Sequence, residues 1–374
     1  MAEEQLRKSQ LIEYENIAGH DGMQSSKSGR LLVKPCKQPE IDFYQSTLEH
    51  PKFRHFIPIF LGTLEINQAA EPRASHSRAP SQNLLIPGSD VGHITHWTPS
   101  GGGKISADHG IVLENVAYGF TKPNILDVKL GRRLWADDAP PAKRLKMDKI
   151  ASETTSHPLG FRIAGMKTFV GYASPKADNI DGYRKYDKCY GRTLSTQTVR
   201  RAFEDYFFIE SAGITKELAS RVIHRFLNDL RALQRVLEEE ESRMYSSSLL
   251  FVYEGDSKRL QHDLDTPTPA ETPSASIDGS VDFDTLDDVE FTNDPTKQAS
   301  ATEGIFTVVQ TNSEANSTSA GDAASDDSEV FAYKVQAIKM IDFAHATWVP
   351  GQGSDENTLF GIKNVIKILE EMIS

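Results

Sequence analysis

Only two of the 374 residues are cysteine, Cys36 and Cys189. Two thiols cannot build a disulfide framework or a zinc site by themselves, so both read as reduced side chains of a cytosolic or nuclear protein. Long apolar runs are also missing: none approaches the roughly 18 residues needed to span a bilayer. The opening stretch MAEEQLRKSQLIEYEN lacks the basic-then-apolar layout of a secretion signal. A Walker-type phosphate loop is absent as well. GGGKIS around Lys104 comes nearest, but Thr98 stands where the first glycine is required and Ile105 where Ser or Thr must follow the lysine. His93 and His96, in the same polar stretch, have no further ligands nearby in sequence and read as solvated.

What is present is unevenly distributed. Residues 256–330 carry 17 Asp and Glu against Lys258, Arg259 and Lys297, a net −14 in a chain whose total is −12, so the remainder carries about +2. That acidic stretch is rich in Ser, Thr, Pro and Asp and poor in apolar clusters, and is expected to be a disordered insertion. Core-like sequence resumes at Phe331. A second insertion, about 67–106, has repeated Pro, Gly, Ser and His and reads as a long loop. Strand patterns fall at 31–34, 110–115, 125–130, 161–172, 248–253 and 335–343. Helical patterns fall at about 40–48, 197–207, 216–244 and 359–372, the third with Leu218, Val222, Phe226, Leu230, Leu233 and Leu237 at helical spacing. This order predicts an α+β protein with a mostly antiparallel sheet.

The chemistry begins in KPNILDVKLGRRLWADDAPPAKRLKMDK, residues 122–149. In a strand, Asp127 and Lys129 share one face while Leu126, Val128 and Leu130 are buried on the other. A structural ion pair is one reading of the Asp and Lys. The other is phosphoryl transfer, in which a carboxylate orients or deprotonates a hydroxyl and an ammonium neutralises the moving phosphoryl group. Asp342, ending the apolar run AIKMI, is placed as a hard oxygen ligand for Mg²⁺ beside nucleotide phosphates. Lys34 in LLVKPC is a strand lysine of the kind that grips ATP phosphates, and Glu40, opening the next helix, is positioned to hold it. Lys143, Lys146 and Lys149 are expected along one side of a helix beginning near Pro141. A folded part of about +2 does not suit an extensive nucleic-acid footprint, whereas a compact polyphosphorylated molecule fits this cluster. KRLK also matches a short basic nuclear-import pattern.

Together these residues resemble the inositol polyphosphate kinase family. Its P-x-x-x-D-x-K-x-G signature is matched by Pro123, Asp127, Lys129 and Gly131, its S-S-L-L strand by Ser247, Ser248, Leu249 and Leu250, and its I-D-F motif by Ile341, Asp342 and Phe343. YGRTLS at 190–195 and GIKNVIKIL near the end are similar to family segments. The resemblance implies a two-lobed protein-kinase-like fold with antiparallel sheets and a short inositol-binding helical segment, without the glycine-rich loop of protein kinases. It implies an N-terminal lobe and hinge at 1–121. A C-terminal lobe would begin at 122–255, with its substrate-binding helix at about 141–152, and end at 331–374 with a metal-binding strand. It implies ATP held by Lys34, Glu40, Asp342 and the hinge residues Glu114 and Val116, with Mg²⁺ on Asp342. Asp127, Lys129 and His345 would lie at the reacting hydroxyl, and Lys143, Lys146 and Lys149, with Asp127 and Lys129, would bind the inositol phosphate.

Between Gly131 and Gly160 there is room for only a short inositol-binding segment, which looks most like the fungal inositol polyphosphate multikinases. That resemblance implies phosphorylation of inositol 1,4,5-trisphosphate to tetrakis- and pentakisphosphates by a monomer in nucleus and cytoplasm. It also implies transcription-factor partners bound through the acidic insertion. Two alternatives stay open: an inositol hexakisphosphate kinase making pyrophosphates, and a nuclear scaffold acting through that insertion.

Overall fold

A computed structural model of the chain describes residues 4–7, 11–15, 17, 22–65, 109–178, 180–266, 305–309 and 334–374. The loop expected at about 67–106 lies outside the described residues, as does most of the acidic insertion. Strands β1 (Glu4–Arg7), β2 (Leu11–Glu13), β3 (Gln24–Ser26) and β4 (Leu31–Cys36) precede helices α1 (Gln38–Ser46) and α2 (Pro51–Arg54), then β5 (Phe60–Glu65) and β6 (His109–Glu114). Next come β7 (Pro123–Leu130), α3 (Pro141–Ser152), α4 (Ser156–Leu159), β8 (Phe161–Phe169) and β9 (Tyr183–Tyr186). They are followed by α5 (Lys188–Thr193), α6 (Val199–Phe207), α7 (Lys216–Glu239), β10 (Ser242–Met244), β11 (Ser248–Glu254) and α8 (Ser257–Asp265). The last elements are β12 (Ile305–Val309), β13 (Gln336–Ile341), β14 (Ala346–Trp348) and α9 (Glu356–Ile373).

These strands form a seven-stranded sheet in the order β1-β12-β5-β6-β4-β3-β2, a five-stranded sheet in the order β13-β11-β7-β8-β9, and the ribbon β10-β14. The short connection 115–122 joins the two large sheets. The two-lobed α+β architecture follows from this arrangement, and the five-stranded sheet rests on the helices of the main core. No helix among the described residues is long and apolar enough to cross a membrane.

The alternation expected in β7 is present. Leu126, Val128 and Leu130 are fully buried in the main core, which leaves Ile125, Asp127 and Lys129 on the opposite face. Helix α7 buries its predicted stripe against that core, and the Thr215 hydroxyl caps it by accepting from the Leu218 N–H at 3.2 Å. It stops at Glu239, short of the expected Met244, because Ser242–Met244 pairs with β14 instead. Gly131 explains the glycine of its motif: at φ 101° an added Cβ would lie 2.7 Å from the Asn357 amide nitrogen and 3.0 Å from the Arg133 carbonyl.

The insertion expected to be disordered over 256–330 is corrected in two places, the first being Ile305–Val309, which forms β12 and pairs with β1 and β5. The disordered insertion was expected to start at 256, but Ser257–Asp265 is a helix capped by Asp256, whose carboxylate accepts from the Lys258 and Arg259 N–H groups. Composition concealed it because Leu260 and Asp263 are its buried residues. Arg259 reaches back to the inter-sheet connection, donating to Thr121 Oγ1 at 2.7 Å and to the Gly119 carbonyl at 3.3 Å.

Leu260→Ala is therefore expected to destabilise the protein by about 2–4 kcal/mol in urea unfolding, as for a buried leucine. A loss under about 0.5 kcal/mol, the scale of a surface substitution, would return this segment to the insertion.

Candidate active site

The cleft between the large sheets offers ≈ 970 Å³ of empty space, part of it open to solvent. Its lining is largely apolar, with Ile17, Met23, Leu32, Val116, Ile125 and Val252 among the residues, and it also includes the charged Lys34, Asp127 and Asp342. Such a slot fits a base against its apolar wall and phosphates against its charged groups. The connection supplies the edge of that slot. The Glu114 N–H is spent on the Ile59 carbonyl at 3.0 Å.

Lys34 crosses the cleft. Its Nζ donates to Glu40 Oε1 and to Asp342 Oδ1, both at 2.7 Å. Burial opposes its charge, but the Asp342 and Glu40 carboxylates outweigh that and hold its pKa well above the ordinary value. Glu40 Oε1 also accepts from the Phe343 N–H at 3.1 Å. Phe343 is fully buried, with ring contacts to Phe43, Tyr44 and Phe53. This anchor fixes Asp342, whose backbone sits in the left-handed region at φ 68°.

Asp127 is 6% exposed, and its Oδ1 has no hydrogen-bond partner. Burial, then the nearby Asp342 charge, pushes its pKa up to about 6, with Lys129 pulling the other way. An orphaned buried carboxylate oxygen near a second carboxylate from the same sheet is a donor set suited to a cation. Asp342 and Asp127 could hold one, with its remaining ligands drawn from phosphate and water in the manner of Mg²⁺. Among the described residues no cluster of three or more His, Cys, Asp or Glu exists that could hold a metal through the protein alone.

Lys129 Nζ donates to the Ser246 carbonyl at 2.7 Å. Burial lowers its pKa, although the Asp342 charge works in the opposite direction. Ser246, at φ 61°, and Asp342 are the two non-glycine residues with positive φ among those described. Each orients one of the two cleft lysines, an instance of strained backbone stored at a site. Ser248 lies opposite Lys129 and Leu250 opposite Asp127 in the β11–β7 register. Leu249 and Ser247 are buried behind them, and Pro123 opens the strand where its missing N–H does least harm.

On α3, Lys143 Nζ lies 2.8 Å from His345 Nε2. Burial, followed by the Lys143 charge, lowers the imidazole pKa, so His345 is neutral at pH 7 with Nε2 accepting. The lysines do not share one side as expected. Each step of three residues turns the side chain by about 60° around the helix. Lys149 therefore points away and sits 3.8 Å from Glu153. The structure brings Lys34, Glu40, Asp127, Lys129, Asp342, Lys143 and His345 to one region, but not Lys149.

Sequence reasoning missed Arg162. It pairs with Lys129 across β7 and β8, so both project to the cleft face, and it donates to Ser156 Oγ at 3.1 Å. Burial, then Arg192, lowers its pKa to about 10. The residue was visible in LGFRI, but its facing partner was not.

A family model described as inositol polyphosphate kinase matches residues 110–370. An inositol polyphosphate multikinase of Saccharomyces cerevisiae is 30% identical, covering 94% of this chain and 95% of that protein. One from Schizosaccharomyces pombe is also 30% identical, over 63% of this chain and 76% of its own length. Inositol hexakisphosphate kinase 3 of Homo sapiens is 29% identical over 70% of this chain and 51% of its own. The crystal structure of the S. cerevisiae inositol phosphate multikinase in complex with ADP and Mn²⁺ aligns with a TM-score of 0.58 at 26% identity, over 92% of this chain and 100% of that one.

Folding raises the Asp127 pKa from its ordinary 3.8 to about 6, so the folded state holds this proton more tightly than the unfolded state. The resulting penalty is absent below the unfolded pKa and fully developed above the folded one. Asp127→Asn is expected to raise the stability of the ligand-free protein at pH 7.5 by about 1–3 kcal/mol and to change it little near pH 3.5. Urea midpoints at the two pH values measure this. An equal effect at both would show that the carboxylate is not strained by burial.

Proposed function

The chain belongs to the inositol polyphosphate kinase family, and from that premise we propose that it is an inositol polyphosphate multikinase. In this reading it uses ATP and Mg²⁺ to convert inositol 1,4,5-trisphosphate to tetrakis- and pentakisphosphates. The observation that carries this reading is the neighbouring pair Asp127 and Asp342, with Lys34, Lys129 and Arg162 around them in a largely apolar slot. The likeness to the S. cerevisiae multikinase along 94% of the chain supports it over the hexakisphosphate kinase reading. So does the segment between β7 and β8, which contains only α3 and α4. A small substrate platform leaves room for one inositol phosphate in several orientations.

ATP would supply the phosphoryl group, and Asp342 with Asp127 would hold a divalent cation, whose charge would screen the phosphates. Val116 offers the backbone donor to the base at the edge of the slot. Lys34 and Glu40 form the lysine–glutamate pair that positions phosphates in kinase-like sites. Asp127 orients the acceptor hydroxyl and takes its proton. Lys129 offsets charge on the phosphoryl group in flight. Lys143, Lys146 and Arg162 grip phosphates that do not react. His345, neutral and in contact with Lys143, sits beside the acceptor. Acidic residues beyond α8 are left for a protein partner in the nucleus.

The test is incubation of the purified chain with ATP, Mg²⁺ and inositol 1,4,5-trisphosphate, with products resolved by isomer. Tetrakis- and pentakisphosphates are expected. Inertness toward the trisphosphate with pyrophosphate formation from the hexakisphosphate would overturn the multikinase reading. Lys129→Met should lower kcat by about a hundredfold or more, because its charge acts mainly in the transition state. Lys146→Ala should raise KM for the inositol phosphate by about tenfold with KM for ATP unmoved, the loss of one partly exposed charged contact. Lys149→Ala should change neither. Asp342→Asn should abolish Mg²⁺-dependent turnover while the fold persists, read by circular dichroism alongside activity.

A further inference from the structure

Helix α3 carries the phosphate-gripping lysines, yet little holds it to the core. Ala151 is its one buried side chain, and Leu145 is 73% exposed. The side of α3 that carries Arg144 and Asp148 meets Trp135, in the loop between β7 and α3. The Arg144 guanidinium lies over the Trp135 ring at 4.7 Å, and the Arg133 guanidinium lies over the same ring at 3.8 Å. Arg133 also lies over Tyr245 at 4.7 Å. The indole Nε1 donates to Asp148 Oδ1 at 2.6 Å. Arg144 and Asp148 are four residues apart, so both fall on the helix side that faces Trp135.

The stack is tied down at both ends. Arg144 Nε donates to the Ala139 carbonyl at 2.7 Å, and Arg133 Nε to the Trp135 carbonyl at 3.0 Å. Arg133 also pairs with the Asp137 carboxylate, and Arg144 bonds the Asp137 carbonyl. Asn357 Oδ1, at the start of α9, accepts from the Arg132 and Arg133 N–H groups at 2.8 and 2.9 Å. A continuous mechanical path thus runs from α9 through the loop and Trp135 to α3.

We propose that Trp135 is a positioning residue that fixes the rotation of α3 about its axis, and with it the reach of Lys143 and Lys146 toward the inositol phosphate. An indole suits this task because each face attracts a cation while the edge N–H takes the Asp148 carboxylate. The four basic residues of the helix, Lys143, Arg144, Lys146 and Lys149, repel one another when no phosphate is bound. Trp135 takes Arg144 out of that group and turns it into the fastening. The kinetic part of this inference rests on the multikinase reading; the structural part does not.

Two measurements test it. Hydrogen exchange of the ligand-free protein compares the wild type with Trp135→Ala and Trp135→Phe. Faster exchange in the alanine variant is expected at residues 141–152, with α9 and β11 unchanged, and the phenylalanine variant should fall between. Unchanged exchange in α3 would overturn the proposal, whatever the substrate. Steady-state kinetics then assign the consequence. Trp135→Ala should raise KM for inositol 1,4,5-trisphosphate by about tenfold, leaving kcat and KM for ATP within about threefold, and Trp135→Phe should recover part of that loss. A rise in both KM values together would make Trp135 a general stability residue and overturn the positioning role. Absence of any trisphosphate turnover by the wild type would instead refute the multikinase reading, with the exchange result still deciding whether Trp135 holds α3.

Discussion

The Lys34 ammonium lies 2.7 Å from Glu40 and 2.7 Å from Asp342, and this shared charge joins the two large sheets at the site. Glu40 comes from the helix after β4, and Asp342 from the end of β13. Removing either carboxylate leaves the ammonium with one partner in a partly buried place, a smaller loss than the roughly 3–5 kcal/mol of an uncompensated buried charge. The bridge is supported by main-chain contacts between the same parts: the Met340 N–H donates to the Phe56 carbonyl at 2.6 Å, and Lys339 Nζ to the His55 carbonyl at 2.8 Å. Further out, the His50 ring stacks on Trp348 at 3.5 Å while pairing with Glu240. The cleft is therefore closed by a graded series of contacts, with the charged one nearest the chemistry.

Around that bridge the field is divided. Asp127 and Asp342 are negative and close enough that one raises the pKa of the other. Lys129, Arg162 and Lys143 are all pushed toward losing their protons, principally by burial. Such like charges at close quarters raise the energy of the site. Carboxylates gain from a cation between them, and the cations gain from phosphates, so polyphosphorylated ligands relieve both strains.

How much of this was legible depended on whether one segment held the whole signal. The two faces of β7 were readable because period-two alternation is complete within eight residues. The stripe of α7 and the start of α3 at Pro141 were readable for the same reason. Lys34 and Glu40 are six residues apart, so their meeting needed only a strand followed by a helix. Arg162 was not readable: its place opposite Lys129 depends on the β7–β8 register, which shifts between Asp127 and Val128. Tyr14, Ile17 and Met23, which close the apolar slot, lie in a stretch with too little periodicity to announce a wall. Lys149 failed because a spacing of three reads as one side over two residues but drifts over three. Helix α8 failed because composition averages hid its apolar anchors, Leu260 and Leu264.

The Glu254 carboxylate is fully buried and accepts from the Thr121, Lys122 and Asp256 N–H groups at 2.6, 2.9 and 2.9 Å. It clamps the far end of the inter-sheet connection while β6 holds the near end. Between them, Gly119 has φ 90° and nothing within 4 Å of where a side chain would begin. The connection is thus held at both ends, and Gly119, whose carbonyl accepts from Arg259, is its least crowded point. A linker so held has few conformations to surrender when a ligand settles between the sheets, so ordering it should draw little on chain entropy.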